Sequence, residues 1–260
     1  MTSSSLARHC LCIVVLTCTS VAAAPSSRLV RVDDIDFRVV DIDLRDERLE
    51  LHWKTDDGSA LASIEAMQQW GAAQGRTLQF AANAGIYDRQ FRPLGLHIEE
   101  GQTLRPLNTA QGSGRQGNFS IQPNGVFYVD RSGKAAVLST QAWHARAPDA
   151  RIATQSGPML VVDGEINAHF DEASDSLKWR SGVCAKTPGV VTFAVSEAPV
   201  TFHAFARLFR DPIGCRDALY LDGTLSRIYT AADGFAGAPA MMVKPYAGMF
   251  AVFAADPPAR

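Results

Sequence analysis

Cysteine is scarce where a metal site or a disulfide scaffold would need it. Five are present in 260 residues, but Cys10, Cys12 and Cys18 crowd an N-terminal apolar segment, leaving only Cys184 and Cys215. Two cysteines without a paired spacing exclude a four-cysteine zinc site and a disulfide-dense small domain. Histidine supplies no metal pattern either. His52, His97, His144, His169 and His203 show no His-x-x-x-His and no Glu-flanked spacing, so each reads as a core or solvated residue. An excess of positive charge is also lacking. Lys and Arg number 25 against 27 Asp and Glu, a net charge of −2, which excludes the basic face that nucleic acid requires. Beyond residue 24 no apolar run is long enough to cross a bilayer. Ser156 lies in Gln-Ser-Gly and not in Gly-x-Ser-x-Gly, which argues against a serine nucleophile. No repeat, low-complexity tract or linker divides the chain.

The start of the chain reads as an export signal. Arg8 and His9 give a weakly basic start, Cys10 to Cys18 an apolar core, and Ala22-Ala23-Ala24 a small-residue cleavage site. The expected organisation is a signal peptide over 1–24 and one domain over 25–260, periplasmic or secreted. Leu16-Thr17-Cys18 resembles the end of a lipid-attachment box, although its surroundings fit poorly. The remaining length suffices for one large core. In an exported chain Cys184 and Cys215 could form a disulfide or stay as two buried thiols, and the sequence leaves both open.

Hydrophobic periodicity favours strands. Ile35, Phe37 and Val39 alternate, as do Leu49, Leu51 and Trp53, which predicts a hairpin across Arg45-Asp46-Glu47-Arg48. Ser59 is expected to cap a helix carrying Leu61, Ile64, Met67 and Trp70, ended by Gly71 and Gly75. Thr77 to Ala82 reads as a buried strand. Turns are expected at Glu100-Gly101, at Asn124-Gly125, over Arg131–Lys134, at Asp163-Gly164 and at Pro188-Gly189. Phe202, Phe205, Ala206 and Phe209 form the stripe of a sheet-covering helix. Met241 to Phe253 is strand-like. The fold class is therefore α+β: one domain, a mainly antiparallel or mixed sheet, and few covering helices.

Short apolar strands that end in small and polar residues recur along the chain. They are Asn83-Ala84-Gly85-Ile86-Tyr87, Gln155-Ser156-Gly157-Pro158, Arg180-Ser181-Gly182-Val183 and Cys215-Arg216-Asp217-Ala218-Leu219-Tyr220-Leu221-Asp222-Gly223. Arg92-Pro93-Leu94-Gly95-Leu96 and Gly117-Asn118-Phe119 lie between the first two. Small residues at strand ends let a ligand approach the backbone, while Asn, Ser and Arg offer hydrogen bonds. Alone, Asn83 could fill a left-handed turn, Arg180 an exposed strand position, and Asp222-Gly223 an ordinary turn.

In this order and spacing the segments resemble the phosphodiester glycosidase family, the N-acetylglucosamine-1-phosphodiester alpha-N-acetylglucosaminidase-like domain, in its bacterial exported branch. The resemblance covers most of residues 77–230. The chain departs from it at Asn83-Ala84-Gly85, where Asn-Gly is common, and at Thr224, where Gly is common. The resemblance implies a hydrolase cleaving the C1–O bond of a sugar phosphodiester. It implies Asp222 and Arg180 as catalytic residues, the first as base, nucleophile or cation stabiliser and the second gripping phosphate. Asn83, Gly85, Asn118, Ser156, Gly157, Gly182 and Gly223 are implied as substrate contacts. Asp88, Glu99, Asp171 and Glu172 are unranked candidates for a second carboxylate. The polar stretch Asn167 to Lys178 reads as a loop over the site. No cofactor or catalytic metal is expected, although a structural calcium would suit Asp and Asn at strand ends. The expected partner is a small molecule or glycan bearing a sugar phosphodiester, with neither nucleic acid nor an integral membrane segment involved; oligomeric state is left open. Two other readings stay open: a non-catalytic cell-envelope glycan-binding module on the same scaffold, and cleavage at the P–O bond.

Overall fold

The computed structural model describes residues 24–110, 117–223, 225–242 and 245–255. The export signal, the Cys18 reading and the Thr224 departure fall outside these residues, apart from Ala24. In chain order the strands are β1 (Ser27–Val32), β2 (Ile35–Asp43), β3 (Leu49–His52), β4 (Arg76–Asn83), β5 (His97–Glu99), β6 (Gln102–Arg105), β7 (Gly125–Asp130), β8 (Ala135–Ser139) and β9 (Ala150–Ser156). They continue as β10 (Met159–Val162), β11 (Glu165–Ile166), β12 (Ser181–Thr187), β13 (Val190–Ser196), β14 (Ala218–Asp222), β15 (Arg227–Thr230), β16 (Gly234–Gly237) and β17 (Met249–Ala255). The helices are α1 (Ile64–Ala72), α2 (Thr140–Arg146) and α3 (Phe202–Leu208), the last running into a π-helical turn, Phe209–Ile213.

The strands form three sheets, ordered β1-β2-β13-β12-β14-β10-β11, β16-β15-β4-β17-β3 and β6-β5-β9-β7-β8. Every pairing between these strands is antiparallel. The α+β class follows. One core joins the sheets: Phe80, Phe127, Phe193 and Phe250 are fully buried and meet edge to face or tilted, with Phe80–Phe193 centroids 4.9 Å apart. Strands of the seven-stranded sheet are apolar on both faces. Val40, Ile42, Leu219 and Leu221 point into the shared core; Phe37, Val39, Ala218 and Tyr220 pack under Phe205, Ala206, Leu208 and Phe209. The Phe stripe thus forms a sheet cover as its spacing predicts.

The two open cysteines are joined: Cys184–Cys215 is a disulfide that fastens β12 to the segment entering β14. The Asp163-Gly164 turn has positive φ at both residues, 52° and 90°, the backbone a two-residue hairpin wants.

Three expectations are corrected, and one helix was not foreseen. Segments 35–44 and 49–53 make no hairpin. Because β2 is apolar on both faces it is an interior strand between β1 and β13, while β3 joins the other sheet beside β17. Asn124-Gly125 is not a turn, and Phe119 lies in a 3-10 turn, Gly117–Ser120. There Asn124 donates to the Phe119 carbonyl at 2.7 Å. Gly125 opens β7, where a Cβ would come 2.9 Å from Met159 Cγ. Helix α1 begins after Ser63, whose hydroxyl accepts from the Ala66 N–H, because Ser59 is tied into a turn with Thr55 and Asp57. Helix α2, capped by Ser139, carries only one large buried apolar residue, Trp143, too few for a periodic signal.

Candidate active site

Antiparallel pairing brings the C-terminal ends of some strands beside the N-terminal ends of their neighbours. Here strand ends of all three sheets meet: Asn83 at the end of β4, Ser156 at the end of β9, Asp222 at the end of β14, and Ser181 and Arg227 at the starts of β12 and β15. Ser181 is the register partner of Asp222, and Gly182 of Tyr220. The shift between these pairs makes Leu221 an extra residue, a bulge that re-aims the strand's last side chain.

Asp222 is half-buried, and its carboxyl is enclosed enough that desolvation lifts its pKa to about 6. The Gly223 N–H, 2.6 Å away, opposes this by donating to it. No cation or second carboxylate is among the causes of the shift. Behind it the fully buried Tyr220 hydroxyl accepts from Asn118 Nδ2 at 3.2 Å. A Cβ on Gly223 would lie 2.7 Å from this hydroxyl, so glycine is what lets the turn close over it. Burial, with the Asp222 charge, pushes the Tyr220 hydroxyl well up, so it stays a neutral donor. Tyr87 is raised for the same two reasons.

Arg180 is 1% exposed. Its Nε donates to the Val200 carbonyl at 2.8 Å, its Nη2 to the Ser176 carbonyl at 3.0 Å, and Cζ stacks 3.6 Å from the Phe202 ring centroid. Burial lowers its pKa, opposed by Tyr220 alongside. Two of its three nitrogens are therefore held by main chain, and Nη1 alone has no hydrogen-bond partner among the described residues. The fork so held spends its Nε donor and one Nη2 donor on main chain and leaves Nη1 open. The Asn167 to Lys178 stretch supplies one of those carbonyls and stacks Phe170 on Phe202, so it buttresses Arg180.

The other implied contacts are largely occupied by the protein. Asn83 donates to Ser181 Oγ at 2.9 Å and accepts the Arg227 N–H at 3.2 Å. The Ser156 hydroxyl donates to the Leu221 carbonyl at 3.0 Å and accepts the Ile86 N–H at 3.2 Å, pinning the strand end just before the acid. Gly85, Gly157 and Gly182 are sites of close approach: an added Cβ would meet Gln155 O at 2.7 Å, Asn124 Oδ1 at 1.9 Å and Phe209 at 3.0 Å. Among the candidate second carboxylates, Asp88 pairs with Arg92, and Glu99 with His97 and the Trp53 N–H. Asp171 caps its own turn through the Ala173 N–H, and Glu172 is exposed. A cavity of about 480 Å³ lined by Asn108, Gln122, Asn124, Thr140, Gln141 and His144, among others, contains none of the expected site residues. Among the described residues no group of three or more His, Cys, Asp or Glu could hold a metal.

Sequence reasoning passed over Arg227, Tyr246 and Glu65. Arg227 is 9% exposed; its Cζ lies 4.0 Å from the Phe235 centroid and Nη1 3.8 Å from Glu65 Oε1. Tyr246 donates to the Leu225 carbonyl at 2.8 Å, and its raised pKa comes from burial and the charges of Asp222, Tyr87 and Glu65, offset by Arg227. An Arg opening a strand after a turn reads as a surface residue, and no spacing signal marks it otherwise.

The fold and this site define an α+β protein with one desolvated acid, a buried guanidinium and closely packed glycines at antiparallel strand ends. The family pattern described as phosphodiester glycosidase matches residues 76–249. The uncharacterized protein YigE of Escherichia coli K12 is 37% identical over 183 residues, 70% of each chain. This chain belongs to the phosphodiester glycosidase family. Two solved structures share the fold. One is the zebrafish N-acetylglucosamine-1-phosphodiester alpha-N-acetylglucosaminidase catalytic domain, auto-inhibited by its pro-peptide, with TM-score 0.64, 15% identity, and 90% of this chain and 84% of that one covered. The other is a Burkholderia pseudomallei K96243 protein described as exported, with TM-score 0.52, 11% identity, and 84% and 74% covered.

Proposed function

We propose that this chain is an exported hydrolase that cleaves the C1–O bond of a sugar-1-phosphodiester, with Asp222 as its central acid. The observation that carries the reading is the Asp222 carboxyl. It ends a bulged strand, is desolvated to a pKa of about 6, and accepts one backbone hydrogen bond. A carboxylate poised near neutrality suits proton transfer. In the reaction, water attacks C1 and gives its proton to Asp222, the C1–O bond breaks, and its electrons leave on the phosphate oxygen. A phosphate monoester is a good leaving group, so little acid assistance is needed. The Tyr220 hydroxyl, which feels the Asp222 charge, suits the stabilisation of developing negative charge, with the Arg180 guanidinium behind it, 5.7 Å from the Tyr220 ring centroid. The zebrafish neighbour's name assigns it a sugar phosphodiester, and membership of the family supports the same chemical class here.

Export has separate support. The first 24 residues have signal-peptide character, and the Cys184–Cys215 disulfide suits an oxidising compartment. Among the described residues no helix is long and apolar enough to cross a membrane.

The purified protein is expected to release free sugar from sugar-1-phosphodiesters, and Asp222→Asn to abolish release while keeping the fold. In heavy-oxygen water the label is expected on the sugar. Label on phosphate would mean P–O cleavage, and binding without turnover would mean a glycan-binding module; either overturns the reading.

A further inference from the structure

We propose that Arg227 is the anion-binding residue of this site, and that its guanidinium receives the phosphate of the substrate. This rests on the glycosidase reading for the identity of the phosphate, but the anion site itself stands on geometry.

Arg227 is a buried cation whose guanidinium makes no hydrogen bond to any described residue. Its Nε is enclosed and unpartnered. Its nearest opposite charge, Glu65 Oε1, lies 3.8 Å from Nη1, beyond hydrogen-bond distance, and belongs to a largely exposed side chain. The Phe235 ring lies against its face, 4.0 Å from Cζ. A guanidinium carries five N–H donors, and withdrawing them from water without acceptors costs free energy. Natural proteins seldom leave such a group unsatisfied unless something else supplies the acceptors. Arg180 shows the contrast. It is more deeply enclosed, but two of its nitrogens are already bound to main-chain carbonyls.

Position links Arg227 to the acid. Asp222 and Arg227 flank one turn, and Ser226 fixes it from within. Its hydroxyl lies 2.7 Å from the Asp222 carbonyl and 2.6 Å from the Gly223 carbonyl, and its N–H donates to the latter. From outside, the Asn83 carboxamide accepts the Arg227 N–H and donates to Ser181, the register partner of Asp222. The Tyr246 hydroxyl feels both charges. A planar fork whose long edge is unspent matches the paired oxygens of a phosphate in a way a lysine could not.

The test separates this proposal from the catalytic one by using Asp222→Asn protein, which is expected to be inactive. Inorganic phosphate is titrated and followed by calorimetry and by the unfolding midpoint. Adding Arg227→Met is expected to weaken phosphate binding at least tenfold. Without phosphate that variant should unfold no earlier than its parent, because the guanidinium it loses makes no hydrogen bond to described residues. Arg227→Lys, which keeps charge and stem, is the second variant should Met not fold, and a loss of several-fold is expected there. Phosphate bound by either folded variant as tightly as by the parent overturns the assignment. Arg227-dependent phosphate binding in a protein that cleaves no sugar phosphodiester would instead sink the glycosidase reading and leave the anion site standing.

Discussion

Replacing Asp222 by Asn should remove activity and at the same time stabilise the protein at neutral pH. The magnitude follows from desolvation. The carboxyl's pKa rises from 3.8 to about 6 on folding, and each pKa unit corresponds to about 1.4 kcal/mol. The sign is fixed by proton counting. Between pH 4 and 6 the folded protein holds a proton that the unfolded chain has lost, so stability falls as pH rises through that window. By pH 7 the ionised, enclosed carboxylate costs up to about 3 kcal/mol. Asparagine has the same shape, carries no charge, and keeps an oxygen for the Gly223 N–H. It should therefore gain about 1–3 kcal/mol at pH 7, and at about 2–4 °C per kcal/mol for a domain of this size its midpoint should rise by several degrees. At pH 4 the gain should nearly vanish, because Asp222 in the folded wild type is then neutral too. Paired urea or thermal unfolding at the two pH values measures this. An equal gain at both, or a variant less stable at pH 7, would refute the argument that desolvation sets the acid's pKa. The same change should lower turnover by roughly 10²–10⁴-fold, the usual worth of a positioned base.

Three further outcomes follow from the same geometry. Sugar release should lose its rate on the acid side as Asp222 takes up a proton near pH 6, read from the pH profile of kcat/KM; a profile flat from pH 5 to 8 would remove Asp222 as the base. Replacing Cys184 and Cys215 together by Ser opens a link with a sequence separation of 31, which should cost roughly 4 kcal/mol in urea unfolding by chain entropy. Gly157→Ala places a methyl 1.9 Å from Asn124 Oδ1, so it should cost about 1–3 kcal/mol, and Asn124→Ala in the same chain should recover part of the loss.

Local rules revealed much of this molecule in the sequence. The Asp163-Gly164 and Pro188-Gly189 hairpins were legible because two-residue turns are decided by their own residues. The acid at the end of β14 was legible because an apolar run that stops at Asp-Gly marks a strand end. What stayed hidden depends on partners far along the chain. Nothing local tells that β2 is flanked by β1 and β13, which separates it from β3. Asn124-Gly125 carries the strongest hairpin signal in the sequence, yet its amide and its missing Cβ serve packing against Phe119 and Met159. Arg180 stands in a motif that marks it in the sequence, but the carbonyls that hold it come from Ser176 and Val200, which no motif marks. Arg227 was illegible because its peculiarity is a lack of partners, visible only once every neighbour is placed.

The struts around the acid carry no charge: the carboxamides of Asn83 and Asn118, the hydroxyls of Ser156 and Ser226, and the amide of Gly223. Neutral fastenings neither protonate nor weaken with added electrolyte. When acid silences Asp222, its surroundings should keep their shape, so inactivation on acidification should reverse fully and at once on return to neutral buffer.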